Sequence, residues 1–221
     1  MAHGNSPRTT SIHILDDYSL LNVFYLYRPL LLGEEDKDVD ILSEGVVDWV
    51  RERWWYRLAH VCQRWQNVLL GSTSYLGLCL VCTYGTPVAD MLEHSPPLPL
   101  VIDYYGHDIT TGDEEAIILA LAQRDRVRRI QFCSPVLKLQ KLITALDGEY
   151  PILDYLVLAV PREEGRTVLT LPERLETPHL RHLATNCSMP IQSLLWMAVG
   201  LVTLQLELYR PSTSFWPVLL Q

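Results

Sequence analysis

The sequence predicts an α/β chain, α+β overall, in which a small helical unit precedes a longer run of alternating strands and helices. Three observations carry this. Apolar residues recur every three or four positions between residues 15 and 70, then every second position from Tyr75 onward. Strand-like segments afterwards return at a regular spacing. Leucine supplies 39 of the 221 positions, an excess that any fold must absorb. A chain of this length buries roughly 70 to 75% of its unfolded surface, so a large core needs neither disulfide nor metal.

Residues 1–11 are polar and are expected to be a disordered N-terminus without a secretory signal. Asp16 and Asp17 then precede YSLLNVFYLY, where Leu20, Leu21, Phe24 and Tyr27 recur at helical spacing. The two acids suit an N-cap and first turn, and Pro29 stops the helix. From Val47 a longer amphipathic stretch runs through Val50, Trp54, Leu58, Val61, Trp65 and Val68. Arg53, Arg57, His60, Gln63, Arg64 and Gln66 fill its other face, with Gly71 as the stop. Residues 12–71 therefore form one helical unit, and 72–221 the strand-and-helix region.

In YLGLCLVC, Leu76, Leu78 and Leu80 alternate as in a strand, and Thr86-Pro87 opens a short helix through Met91. LPLVI at 98–102 reads as the next strand. The spacing L-x-x-L-x-L then appears as Leu153, Leu156, Leu158 and as Leu201, Leu204, Leu206, with a conservative version in Val127, Ile130, Phe132 and a partial one in Leu180, Leu183. The four starts, at 127, 153, 180 and 201, lie 26, 27 and 21 residues apart. Helices are expected between the strands at 114–124, 136–146 and 191–199.

Charge and composition exclude several classes. With 26 acids against 18 basic residues, a phosphate-binding surface is not expected, and hence no nucleic-acid partner. The segment GEEDKDVDILSEGVVD at 33–48 holds seven acids and one lysine, most of the net −8, and reads as a solvated insert with a basic docking partner as the sharper alternative. The longest apolar stretch, Leu194 to Val202, is well short of the ~20 residues of a membrane helix. An intracellular protein, cytoplasmic and/or nuclear, with no membrane partner is expected. The cysteines at 62, 79, 82, 133 and 187 are odd in number and sit mostly in apolar runs, as reduced small hydrophobes do.

The strand spacing resembles that of leucine-rich repeats, whose units of about 20 to 29 residues stack because none can bury its apolar face alone. The family's asparagine position shortly after the last leucine holds Pro135, Pro161, Ser188 and Tyr209 here, so the repeats are degenerate. An ordinary layered βα domain would give the same alternation. In a solenoid, only PSTSFWPVLLQ would be left to close the exposed end, so the number of repeats and the completeness of the array stay open.

ILDDYSLLNVFYLY followed by WWYRLAHVCQRWQNVLLGS resembles an F-box, and the stretch through LGLCLVCTYGTPVADML is similar to the F-box-like proteins of fungi. Leu15-Asp16-Asp17, Leu20-Leu21, Val23-Phe24 and the closing Leu58, Val61, Cys62 and Trp65 carry the match, which covers about a quarter of the chain, or half with the first strand and helices included. Asp16 stands where the family commonly has proline, and the acidic insert interrupts the helices. The resemblance implies a non-enzymatic substrate-recognition subunit of a Skp-cullin-F-box ubiquitin ligase. Its F-box would bind the Skp adaptor, and through it cullin, by residues among Leu15, Leu20, Leu21, Phe24, Leu58, Val61, Cys62 and Trp65. Leu15 and Leu20 are expected on the docking surface, Val61 and Trp65 in the core or at the domain junction. A target protein would meet the flanks of the strands, where Tyr104, Tyr105, His107, Gln131, His182 and Tyr209 are the candidates.

No nucleophile elbow, phosphate loop or dinucleotide fingerprint occurs. Cys79 and Cys82 lack a second pair at zinc spacing, His179 and His182 would diverge on a strand, and Asp113, Glu114 and Glu115 are explained as a helix start. No catalytic residue, metal site or cofactor is therefore expected. Two other classes stay open. A ligase-independent protein-binding βα scaffold would bury the stripe around Leu20 and Phe24 inside the chain. A small α/β enzyme would need polar groups converging in a pocket at the strand ends.

Overall fold

The structure, a computed structural model, describes residues 14–28, 53–105, 109–161, 168–190 and 200–206. Among these the chain is mixed α/β, with seven α-helices and one six-stranded sheet. Helix α1 (Asp17–Tyr27) starts as its sequence predicts: the Asp16 carboxylate accepts the Ser19 N–H at 2.7 Å, a bond that holds the carboxyl below its usual pKa.

The single long amphipathic helix resolves into pieces. α2 (Trp54–Ala59) and α3 (Gln63–Gly71) are separated at Cys62, whose extended backbone (φ −163°, ψ 164°) restarts the helix, and Gly71 is the last helical residue rather than the stop. α4 (Thr73–Leu76) takes Tyr75 and Leu76, the first two residues of the expected strand. Its end is set by Gly77, whose φ of +63° is a conformation that costs glycine nothing. The Arg28 guanidinium lies 3.4 Å from where a Cβ would stand on Gly77, so the end of α1 rests on this turn.

Only Leu80–Cys82 of the first apolar run form strand β1. There follow α5 (Val88–His94), with Pro87 as its N-cap rather than its first residue, β2 (Leu100–Tyr104), α6 (Thr111–Leu121), a 3-10 turn (Arg124–Arg126), β3 (Val127–Cys133), α7 (Val136–Thr144), β4 (Tyr155–Ala159), β5 (His182–Thr185) and β6 (Thr203–Leu206). α6 opens on a reciprocal capping box between Thr110 and Asp113. The helix expected at 191–199 lies outside the described residues.

All strands are parallel and stand in the order β1-β2-β3-β4-β5-β6, so each pairs with its neighbour in sequence. The register stacks equivalent residues of the repeated spacing. Ile102, Ile130, Leu156, Leu183 and Leu204 form one row, and Tyr104, Phe132, Leu158, Thr185 and Leu206 the next. Val127, Leu153 and Leu180, the first apolar residues of their units, are fully buried beneath them. Helix residues Ile117 and Leu121 of α6 and Leu139, Leu142 and Ile143 of α7 belong to the same core cluster, as do Leu20, Phe24, Trp55, Leu69 and Leu76 of the helical unit. The leucine excess thus feeds one continuous core. Burial of this kind contributes roughly 25 cal/mol per Å² of apolar surface, the largest favourable part of folding.

Polar bonds tie each unit to the next. Lys138 donates to the Ile109 carbonyl at 2.6 Å, Lys141 pairs with the buried Glu114, and the Tyr150 hydroxyl donates to the Leu121 carbonyl at 3.2 Å. Asn186 clips β4 to the unit after it, its side chain accepting the Val160 N–H at 2.9 Å and donating to the Val160 carbonyl at 2.7 Å.

Candidate binding surfaces

Helix α1 carries two apolar stripes. Leu20 and Phe24, one turn apart, point inward and are fully buried, with the Phe24 ring edge-on to Trp65 at a centroid distance of 5.0 Å. This corrects the expectation that Leu20 lies on a docking surface, because the helix uses it, with Phe24, to join the core. Leu21, Leu58 and Trp65 are half-buried against the same core, and Leu15 and Cys62 are half-buried as well. Val61, expected inside, is exposed, since it sits in the break between α2 and α3.

The outward side of the helix bears Tyr18, Val23, Tyr25, Leu26 and Tyr27, with Ile14 just before the helix, and of these Tyr18 is 76% and Leu26 82% exposed. None of these is among the docking residues expected from the sequence, because both sides of the helix are apolar and periodicity alone does not say which faces in. Tyr25 packs beside Tyr75 at 5.2 Å and Tyr27 beside Trp54 at 6.3 Å, so the stripe continues onto α2 and α4. Arg64 of α3 fixes the start of α1 through the Asp17 carboxylate at 2.8 Å and the Leu15 carbonyl. The result is an exposed aromatic and aliphatic surface on helices held rigidly by the core, the composition typical of a protein contact.

The second candidate is the sheet face opposite the core rows. Register places Val101, Arg129, Tyr155, His182 and Thr203 side by side, and beyond them Asp103, Gln131, Val157, Ala184 and Gln205. Tyr105, Cys133 and Tyr155 pack around the small buried residues Val157, Ala159 and Ala184. Of the predicted target-binding residues, Tyr105 and His182 are on this face and half-buried, with the His182 ring 6.0 Å from Tyr155. Gln131 is on it but buried. Tyr104 is not on it. It points into the core in register with Phe132, its ring edge-on to Tyr84 at 4.9 Å, and is buried. His107 and Tyr209 lie outside the described residues.

Electrostatics on this face follow from burial. The Asp103 carboxyl, which accepts the Tyr105 N–H at 3.1 Å, is pushed up to about 7 by desolvation. Desolvation raises the Tyr155 hydroxyl to about 12, with nearby Arg129 opposing it, and lowers His182 from its ordinary value. Asp154 ends the face, holding Arg128 at 2.8 Å and Arg129 at 3.6 Å. Asp103, Arg129 and Tyr155 were missed in the sequence. The signal that finds them is alternation counted from Ile102, Ile130 and Leu156, once those are known to face the core.

The five cysteines are free thiols, and burial pushes Cys82 up to about 12, where it is a poor nucleophile and a poor metal ligand. Among the described residues no group of three or more potential metal ligands occurs, and no helix is long and apolar enough to cross a membrane. Compared with protein-family models, with curated proteins and with solved structures, the chain has no significant match in any of the three.

Proposed function

We propose that the protein is a non-enzymatic substrate receptor of a Skp-cullin-F-box ubiquitin ligase, with an F-box-like unit at residues 12–71 and a degenerate leucine-rich-repeat-like βα solenoid after it. The observation that carries this is the exposed apolar stripe of α1, backed by Leu20 and Phe24. The adaptor-binding role therefore moves from the inward pair to Tyr18, Tyr25 and Leu26, together with Leu15, Leu21 and Val61, which keep some exposure. Support for the repeat reading is the strict sequence order of the parallel strands and the stacking of equivalent leucines. A target protein would meet the sheet face bearing Tyr105, Asp103, Arg129, Tyr155 and His182.

Co-purification with the Skp adaptor tests the reading. The native chain is expected to retain the adaptor, and folded Tyr18→Asp and Leu26→Asp chains to lose it. Absence of adaptor from the native chain removes the ligase role.

A second reading, a ligase-independent protein-binding βα scaffold, is favoured by one specific arrangement. The Trp55 indole N–H donates to the Cys79 carbonyl and Arg53 to the Val81 carbonyl, both at 3.2 Å, so the helical unit covers the first edge of the sheet and buries Leu20 and Phe24 within the chain. Under that reading the helices are an end cap, and charges at Tyr18 and Leu26 change no adaptor interaction.

A further inference from the structure

The sheet face opposite the core holds a carboxylate whose charge no described residue balances. Asp103 of β2 is half-buried and accepts the Tyr105 N–H at 3.1 Å. Among the described residues no cation pairs with it. Arg129, on the neighbouring strand, lies 3.6 Å from Asp154, which also holds Arg128 at 2.8 Å. A charge taken out of water normally sits beside its opposite, and burial without one pushes the Asp103 carboxyl up to about 7. The surroundings suit a cation in a second way. Register sets Asp103 beside Gln131, while Tyr105 and Tyr155 pack on the small residues Val157, Ala159 and Ala184. Asp103 is close enough to Tyr155 for its charge to help raise the Tyr155 hydroxyl. Tyrosine rings next to a carboxylate attract ammonium and guanidinium groups.

We propose that this face takes a lysine or arginine side chain of the target protein against Asp103, beside Tyr105 and Tyr155. The proposal rests on the reading that the face meets a partner, with or without a ligase attached. Its consequence is discrimination, because a neutral residue in that place leaves the carboxylate unpaired and an acidic one is repelled. Binding also becomes pH-dependent: with its carboxyl at about 7, Asp103 is ionised roughly tenfold more at pH 8 than at pH 6. The other titratable or charged groups of the face are Tyr105, Arg129, Cys133, Tyr155 and His182. All five are unchanged in an Asp103→Asn chain, which isolates the carboxylate.

Random twelve-residue peptides displayed on phage and selected at pH 8 on the full chain supply the probe. Each selected peptide is titrated into the native, Tyr155→Ala and Asp103→Asn chains, with His182→Ala replacing Tyr155→Ala should the latter unfold. Peptides that need Tyr155 or His182 report docking on this face. These are expected to carry lysine or arginine, to bind Asp103→Asn about tenfold more weakly, and to weaken about tenfold from pH 8 to pH 6 on the native chain alone. Asparagine keeps an acceptor for the Tyr105 N–H. Should that chain nevertheless unfold, acetylating the peptide lysines or exchanging arginine for citrulline is expected to give the same tenfold loss. Face-dependent peptides that lack a basic residue, or that bind the Asp103→Asn chain and the native chain equally, overturn the proposal and leave the face as a partner surface. Selected peptides that bind all chains alike, as basic ones seated on the acidic segment 33–48 would, overturn the face reading and the proposal together.

Discussion

Replacing Leu20 and Leu26 by alanine, one at a time, separates the two stripes of α1 by their energetics. Both leucines lie within the same helix, and alanine is the better helix former, so propensity changes little and in the same direction at each. Leu20 is fully buried against the core that includes Phe24, whereas Leu26 is almost fully exposed. Truncating a buried leucine removes its transfer energy and leaves a cavity, at a cost of about 2 to 5 kcal/mol, while an exposed change stays within about 0.5 kcal/mol. The expected difference is ~3 kcal/mol, which at a urea slope of about 2 to 3 kcal/mol per M lowers the Leu20→Ala midpoint by about 1 M or more. Urea unfolding followed by circular dichroism measures it. Equal midpoints for the two variants, or a larger loss for Leu26→Ala, would refute the assignment of the inward stripe.

Other consequences are local. Trp55→Phe replaces the buried indole by a smaller phenyl ring and leaves the Cys79 carbonyl without its 3.2 Å donor, and a loss of about 1 to 3 kcal/mol is expected in the same assay. Asn186→Ala strips two bonds from the Val160 backbone, with a cost of similar size and faster exchange of the Val160 amide. Gly148→Ala is expected to cost about 1 to 3 kcal/mol, since Gly148 has φ +102° and its Cβ would collide with the Arg124 guanidinium. Asp103 gives a pH signature. Its carboxyl pKa rises from 3.8 to about 7 on folding, so the native state holds the proton more tightly, and its contribution is complete below about pH 4 and lost as pH rises through 7. Thermal midpoints of the native chain should therefore fall relative to those of Asp103→Asn over that window. A constant difference between the two chains contradicts the assignment.

Much of the sheet was legible because its core rows are written at a fixed spacing. Val127-Ile130-Phe132 and Leu153-Leu156-Leu158 predicted β3 and β4, and even the partial Leu180-Leu183 located β5. Where the text misled, two geometries share one pattern. Leu76, Leu78 and Leu80 alternate and are all buried, but the first ends a helical turn, and only the backbone reversal at Gly77 distinguishes that from a strand. The periodicity from Trp54 to Val68 passes unbroken through Cys62, which is neither glycine nor proline, so the division into α2 and α3 left no mark. The candidate surfaces were less legible. Neighbouring Tyr104 and Tyr105 look alike in sequence and fall on opposite faces, a choice fixed by register with Phe132. On α1 both stripes are apolar, and tertiary packing chose the one bearing Leu20 and Phe24.

Calorimetric titration of the purified chain with the Skp adaptor tests the central claim most directly. Saturable binding by the native chain is expected, weakened about 30-fold or more by Leu26→Asp, as for an anchor contributing at least about 2 kcal/mol, while the variant keeps the native unfolding midpoint. No heat of binding from the native chain, or equal affinity for the Leu26→Asp chain, would contradict it.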